Sequence, residues 1–176
     1  MTATHNVRVD AAAATAERAR SDPSAAQLAV DLSGEWRTDA AQAQFGGRVK
    51  FPKGETVLEA DFPPFLSGEG RAPSPLLYCF YGALSCYAST YAMQAAIAGV
   101  PIERLTARLR LTVDFRAALG VADVPPLDAF RFELEVTSPA SDEELERIRA
   151  LADARCPAIW AMDHQVPHES AVRRAG

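Results

Sequence analysis

The sequence predicts an α+β fold, with antiparallel sheets packed around a long buried central helix. Three observations predict it. Residues 72–102 hold no charged side chain, Arg71 closing the stretch on one side and Glu103 on the other. On both flanks apolar residues alternate with polar ones, the period of strands with one wet face. A capped amphipathic helix follows the last of those strands, so strands and helices are segregated.

The central helix is the best-marked element. Ser74 can cap it, Pro75 suits its first position, and Gly99 with Pro101 ends it. It spans about 24 residues, roughly 36 Å. A helix that is apolar all round must be covered all round, by lipid or by protein. About 20 apolar residues would suffice for a membrane span. Ser85, Ser89, Thr90 and Gln94 lie inside the stretch, however, and no Lys or Arg cluster flanks it. The expectation is a buried helix of a protein outside the membrane. One sheet covers only one side of such a helix, so an intimate homodimer is expected to cover the other.

Taken in order, residues 9–20 are Ala-rich with Glu17, Arg18 and Arg20, a short helix ended by Asp22-Pro23. Residues 1–27 are read as an N-terminal helical extension and residues 28–176 as the domain proper. Leu28, Val30, Leu32 and Trp36 alternate with polar or small residues, as do Phe45, Gly47, Val49 and Phe51. Val57 and Glu59 interleave with Leu58, Ala60 and Phe62. These are three strands, the second and third joined by a turn at Pro52-Lys53-Gly54. After the central helix a strand is expected over residues 105–115 and another over 130–136, an antiparallel pair. Ser141-Asp142-Glu143-Glu144 opens a helix through Leu145, Ile148 and Leu151. Cys156-Pro157 marks its end or a kink. Residues 166–172 are read as a last short strand.

Composition limits the function classes. A net charge of −5 leaves no footprint for nucleic acid. The first thirty residues lack the apolar run of a secretion signal, so a cytoplasmic protein is expected. There the three cysteines, Cys79, Cys86 and Cys156, point to redox chemistry or packing rather than to a structural disulfide framework. No metal is expected: Pro167 spoils a helical face shared by His164 and His168. Cys79 and Cys86 lie two helical turns apart, roughly 10 Å, beyond disulfide reach. An intrachain partner for either must be Cys156. A buried thiol is a poor thiolate, so a reactive Cys86 needs a nearby cation, Arg48 or Arg71. Glu69 is placed to orient such an arginine.

Several short motifs fall in a familiar order. Pro73-Ser74-Pro75, Gly82-Ala83-Leu84-Ser85-Cys86 and Arg155-Cys156-Pro157, together with Leu119-Gly120-Val121 and Asp61-Phe62-Pro63-Pro64, make residues 28–172 resemble the OsmC/Ohr superfamily. The resemblance implies an OsmC-like fold, an interwoven homodimer with active sites at the subunit interface, and thiol-dependent reduction of organic hydroperoxides or peroxide. It assigns Cys86 as the peroxidatic cysteine and Cys156 as the resolving cysteine, with an external dithiol reductant and no cofactor. Arg48 follows Gly46-Gly47 as the activating arginine does in those proteins. Tyr87 and Phe80 are expected in the apolar walls that receive the hydroperoxide, together with Glu69. The stretch Pro63–Leu66 departs from the peroxidase pattern in holding no carboxylate. The second reading is a non-peroxidatic dimer that binds a small ligand or sulfur.

Overall fold

The computed structural model describes residues 4–175. The elements are α1 (Val9–Ser21), β1 (Glu35–Trp36), β2 (Phe45–Phe51), β3 (Gly54–Ala60), α2 (Pro75–Ala98), β4 (Arg104–Arg110), β5 (Arg131–Thr137), α3 (Asp142–Arg155) and α4 (Pro157–Asp163). They form two compact units, residues 10–82 and residues 83–175 with residues 4–9. The fold is α+β with small antiparallel sheets, as the alternating pattern predicts.

In the first unit β1, β2 and β3 make an antiparallel sheet in that order. The hairpin pairs Phe45 with Ala60 and Phe51 with Gly54, leaving Pro52 and Lys53 as the turn. The expected strand over residues 28–36 is realised only at Glu35 and Trp36, which pair with Gly46 and Phe45. Residues 28–34 are irregular, because no strand among the described residues lies beside them to complete their hydrogen bonds. Ser33 instead crosses tightly over Gly47, where a Cβ would meet the Ser33 carbonyl oxygen at 2.5 Å. The alternating apolar residues of this segment are therefore left in water, Leu28 being 87 % exposed.

The loop into α2 is organised by Asp61. Its side chain is buried, and its Oδ2 accepts from the backbone N–H groups of Glu69 at 3.3 Å and Arg71 at 2.9 Å. A short 3-10 turn, Pro64–Leu66, precedes Ser67 in the left-handed region at φ +67°.

Helix α2 runs from Pro75 to Ala98, as its start and stop signals predict. At its end Gly99 takes φ +71°, and the Val100 N–H returns to the Ala95 carbonyl at 2.9 Å, the C-terminal cap that glycine permits. Burial along α2 is uneven. Leu77 and Tyr81 are exposed, whereas Ala83, Tyr87, Thr90, Tyr91, Gln94, Ala95 and Ala96 are buried.

In the second unit β4 and β5 pair from Arg104↔Thr137 to Arg110↔Arg131. Strict alternation turns Leu105, Ala107 and Leu109, with Phe132, Leu134 and Val136, away from solvent. The sheet stops at Arg110 rather than at residue 115. Asp128 is the reason: its Oδ1 takes the Thr112 N–H at 2.8 Å, a side chain competing with the ladder, and Val113 makes only an isolated bridge to Leu127.

Helix α3 has the expected capping box, Ser141 and Glu144 bonding each other's backbone N–H at 3.3 and 3.2 Å. Tyr87, Tyr91 and Ala95 of α2 pack with Ile148 and Ala152 of α3, Val100 and Cys156 into one core. Cys156-Pro157 is a joint between two helices. The Cys156 N–H closes α3 on the Ala152 carbonyl, and the Cys156 carbonyl accepts the first bond of α4 from Trp160, both at 2.9 Å. Residues 166–172 form no strand; they are irregular and exposed. No helix among the described residues is long and apolar enough to cross a membrane.

Candidate functional site

Cys86 and Cys156 meet in the second unit. Cys86 sits on α2, one turn before Thr90, whose hydroxyl donates to the Cys86 carbonyl at 2.9 Å. Cys156 occupies the α3–α4 joint and is 1 % exposed. The Cys156 thiol donates to the Cys86 sulfur, with 3.7 Å between the two sulfurs, although the residues are 70 positions apart in the chain. Both thiols are free. A disulfide needs about 2.05 Å between the sulfurs. The pair is therefore within one small side-chain movement of bonding.

The surroundings set the reactivity of Cys86. Burial pushes its pKa above the ordinary thiol value. The Ala158 backbone N–H, in the first turn of α4, opposes this, the Cys156 thiol reinforces it, and the Thr90 hydroxyl opposes it slightly. Cys86 is thus mostly a thiol at neutral pH, and only a small thiolate fraction is ready to attack.

Beside it, on the same turn of α2, Tyr87 is buried. Its hydroxyl donates to Asp153 Oδ1 at 2.6 Å, and its ring lies 5.1 Å from that of Phe132. Burial, and then the Asp153 carboxylate, hold the phenol far above its usual pKa, so Tyr87 remains a donor. Asp153 also binds Arg149, which pairs with Glu146 through Nε–Oε2 at 2.8 Å. Tyr87 and Arg149 line a cavity of about 240 Å³ with Tyr91, Phe132, Leu134 and Leu145. On α3, Arg155 Nη1 donates to Gln94 Oε1 at 2.5 Å.

The other residues singled out in the sequence lie in the first unit. Arg48 points into solvent and pairs with Glu55 across the hairpin at 2.6 Å. Glu69 is exposed and lines, with Arg37, Asp39 and Arg71, a surface depression of about 410 Å³. Phe80 is half-buried on the first turns of α2, and Cys79 is exposed.

The family model for OsmC-like proteins matches residues 68–171, more than half of the chain and the whole segment that carries both cysteines. This chain belongs to the OsmC-like protein family. Its fold is similar to solved structures of that family. The OsmC-like protein from Mycoplasma pneumoniae superposes with a TM-score of 0.59 at 17 % identity, over 78 % of this chain and 89 % of that one. A putative osmotic stress induced and detoxification response protein from Psychrobacter arcticus gives 0.58 at 15 % identity, over 77 % and 89 %. An organic hydroperoxide resistance protein OsmC from Legionella pneumophila gives 0.51 at 19 % identity, over 77 % and 91 %. At these identities the likeness establishes the shared fold. A comparison with curated proteins gives no match.

Some features of this OsmC-like site were not assigned roles from the sequence. The Ala158 N–H has no sequence signature, since a backbone group acquires its role from where α4 begins. The Asp153 contact joins residues 66 apart, and the Gln94–Arg155 contact joins residues 61 apart. Gln94 did carry a signal: a long amide in an uncharged helix needs a partner.

Proposed function

We propose that this OsmC-like protein is a thiol peroxidase for organic hydroperoxides or hydrogen peroxide, with Cys86 as the attacking sulfur and Cys156 as the resolving one. The observation that carries the reading is the 3.7 Å separation of two free sulfurs from distant parts of the chain. Cys86 thiolate attacks the distal peroxide oxygen. The S–O bond forms, the O–O bond breaks, and the alkoxide leaves as alcohol after taking a proton. Cys156 then attacks the Cys86 sulfenic acid: the S–S bond forms, the S–O bond breaks, and hydroxide leaves as water with the Cys156 proton. An external dithiol reduces the disulfide by two exchange steps and returns both thiols.

The proposal includes a homodimer. Leu77 and Tyr81 on α2, and Leu58 on β3, are apolar and at least 38 % exposed within one chain, a surface that a second copy would bury around α2. Arg48 is retained as the activating cation, on the condition that its guanidinium exchanges Glu55 for the thiolate when the dimer or substrate is in place.

One observation favours the second reading, a non-peroxidatic module. Burial dominates the shift of the Cys86 thiol, and no cation contributes to it. Stopped-flow mixing with one equivalent of an organic hydroperoxide, wild type against Cys86→Ser, separates the two. The peroxidase loses a thiol in a fast phase that the variant lacks; the binding module leaves its thiols intact.

A further inference from the structure

Gln94 is 3 % exposed on a helix whose other buried positions are mostly apolar or aromatic. An aliphatic side chain would fill its place without needing a hydrogen bond. The amide oxygen instead accepts from Arg155 Nη1 at 2.5 Å, a charge-assisted bond between α2 and the last residue of α3. The residue after Arg155 is Cys156. Gln94 lies eight residues beyond Cys86 on α2, about 12 Å along the axis. Helix α2 thus meets the α3–α4 joint at two neighbouring residues: Cys86 faces Cys156, and Gln94 grips Arg155.

The joint itself is stiff along the chain. Cys156 closes α3 through its N–H and opens α4 through its carbonyl, both at 2.9 Å. Those bonds fix its backbone and leave only side-chain rotation to its sulfur; moving Cys156 as a whole away from Cys86 requires the C-terminal turn of α3 to shift over α2, and the Gln94–Arg155 bond opposes that shift. We infer that Gln94 and Arg155 are positioning residues for disulfide formation, holding Cys156 within reach of Cys86 once the latter is oxidised. The kinetic part of the inference rests on the peroxidase reading. The step needs no oxidant beyond the hydroperoxide, since the sulfenic sulfur is reduced as the Cys156 sulfur is oxidised.

The test compares wild type with Gln94→Leu, Arg155→Ala, the double variant and Gln94→Glu, which keeps an acceptor oxygen for Arg155. After one equivalent of cumene hydroperoxide, sulfenic acid should form on Cys86 within about twofold of the wild-type rate. The disulfide phase should slow by about tenfold or more, the scale of loss that a small misplacement brings. The double variant should be no slower than the slower single variant, and Gln94→Glu should restore the phase. A disulfide phase within twofold of wild type in both single variants overturns the inference, as does an equal slowing in Gln94→Glu. Equilibration of each variant in glutathione redox buffers provides a readout that needs no peroxide. The effective concentration of Cys156 toward Cys86 should fall by the same factor, and an unchanged value overturns the positioning role. Wild-type thiols inert to hydroperoxide would sink the peroxidase reading separately, leaving the glutathione equilibrium to decide this one.

Discussion

Residues 10–82 and residues 83–175 contain similar chemistry and treat it differently. In the later segment alternation is converted into burial: Leu105, Phe132, Leu134 and Val136 pack against Tyr87, Tyr91 and Ile148, and the two sulfurs are enclosed there. In the earlier segment the alternation is equally regular, yet Leu28, Val30, Leu32 and Val57 are exposed by half or more. A strand pattern specifies which side chains share a face. It does not supply the surface that face needs, and in the first segment a single chain does not supply it. The segment with the closed core holds the thiol pair, and the segment with the open face holds the candidate arginine.

The comparison can be broken most severely at the sulfurs. Cys86→Ser should lower hydroperoxide consumption by about 1000-fold or more, since the hydroxyl is not an activated nucleophile here. Cys156→Ser should retain one stoichiometric oxidation of Cys86 and lose turnover with dithiol, as followed by peroxide assay and thiol counting. Next comes the packing contrast. Ile148→Ala should cost ~2–5 kcal/mol in denaturant unfolding, because Ile148 is 0 % exposed. Leu28→Ala should change stability by less than about 0.5 kcal/mol in the monomer.

The open face offers a third test. Leu58→Glu should weaken self-association by roughly 100-fold, about 2.7 kcal/mol, because a carboxylate would have to be buried unpaired. Light scattering across a dilution series reads this directly; an unchanged mass at every dilution would remove Leu58 from any subunit contact.

The titration of Cys86 gives a fourth. Its pKa is raised, so the thiolate fraction, and with it the second-order rate with hydroperoxide, should climb about tenfold per pH unit between pH 6 and 8 without levelling. A plateau in that window would reveal a cation that lowers the thiol's pKa, and Arg48→Ala would show whether it is Arg48. Within the site, the smallest effect on stability is expected at Tyr87→Phe. The lost donor to Asp153 should cost ~0.5–1.5 kcal/mol, because Arg149 still binds that carboxylate.

What the sequence discloses follows the same division. Helix α2 is legible to the residue because Pro75 and Gly99 punctuate an uncharged run, and α3 because Ser141 and Glu144 form a reciprocal cap. The turn at Pro52-Lys53 is legible from its residues. Residues 28–34 mislead because their alternation is real while their hydrogen-bonding neighbour is missing from the described chain. Residues 111–115 mislead because Asp128, distant in sequence, takes the Thr112 N–H. Within the site, the spacing of Cys79 and Cys86 shows that neither can serve the other, which leaves Cys156 as the sole intrachain partner. No local pattern could show that Ala158, Asp153 and Arg155 gather beside that pair. Those contacts depend on the angle between α2 and the α3–α4 joint, a property of packing.

The central claim is that Cys86 and Cys156 exchange oxidation directly. Mass-spectrometric mapping of the thiols after one equivalent of organic hydroperoxide, quenched by alkylation, tests it most directly. The account predicts a Cys86–Cys156 disulfide in nearly every chain, with Cys79 alkylated. Recovery of Cys156 as an alkylated thiol alongside unreacted or over-oxidised Cys86 would contradict it.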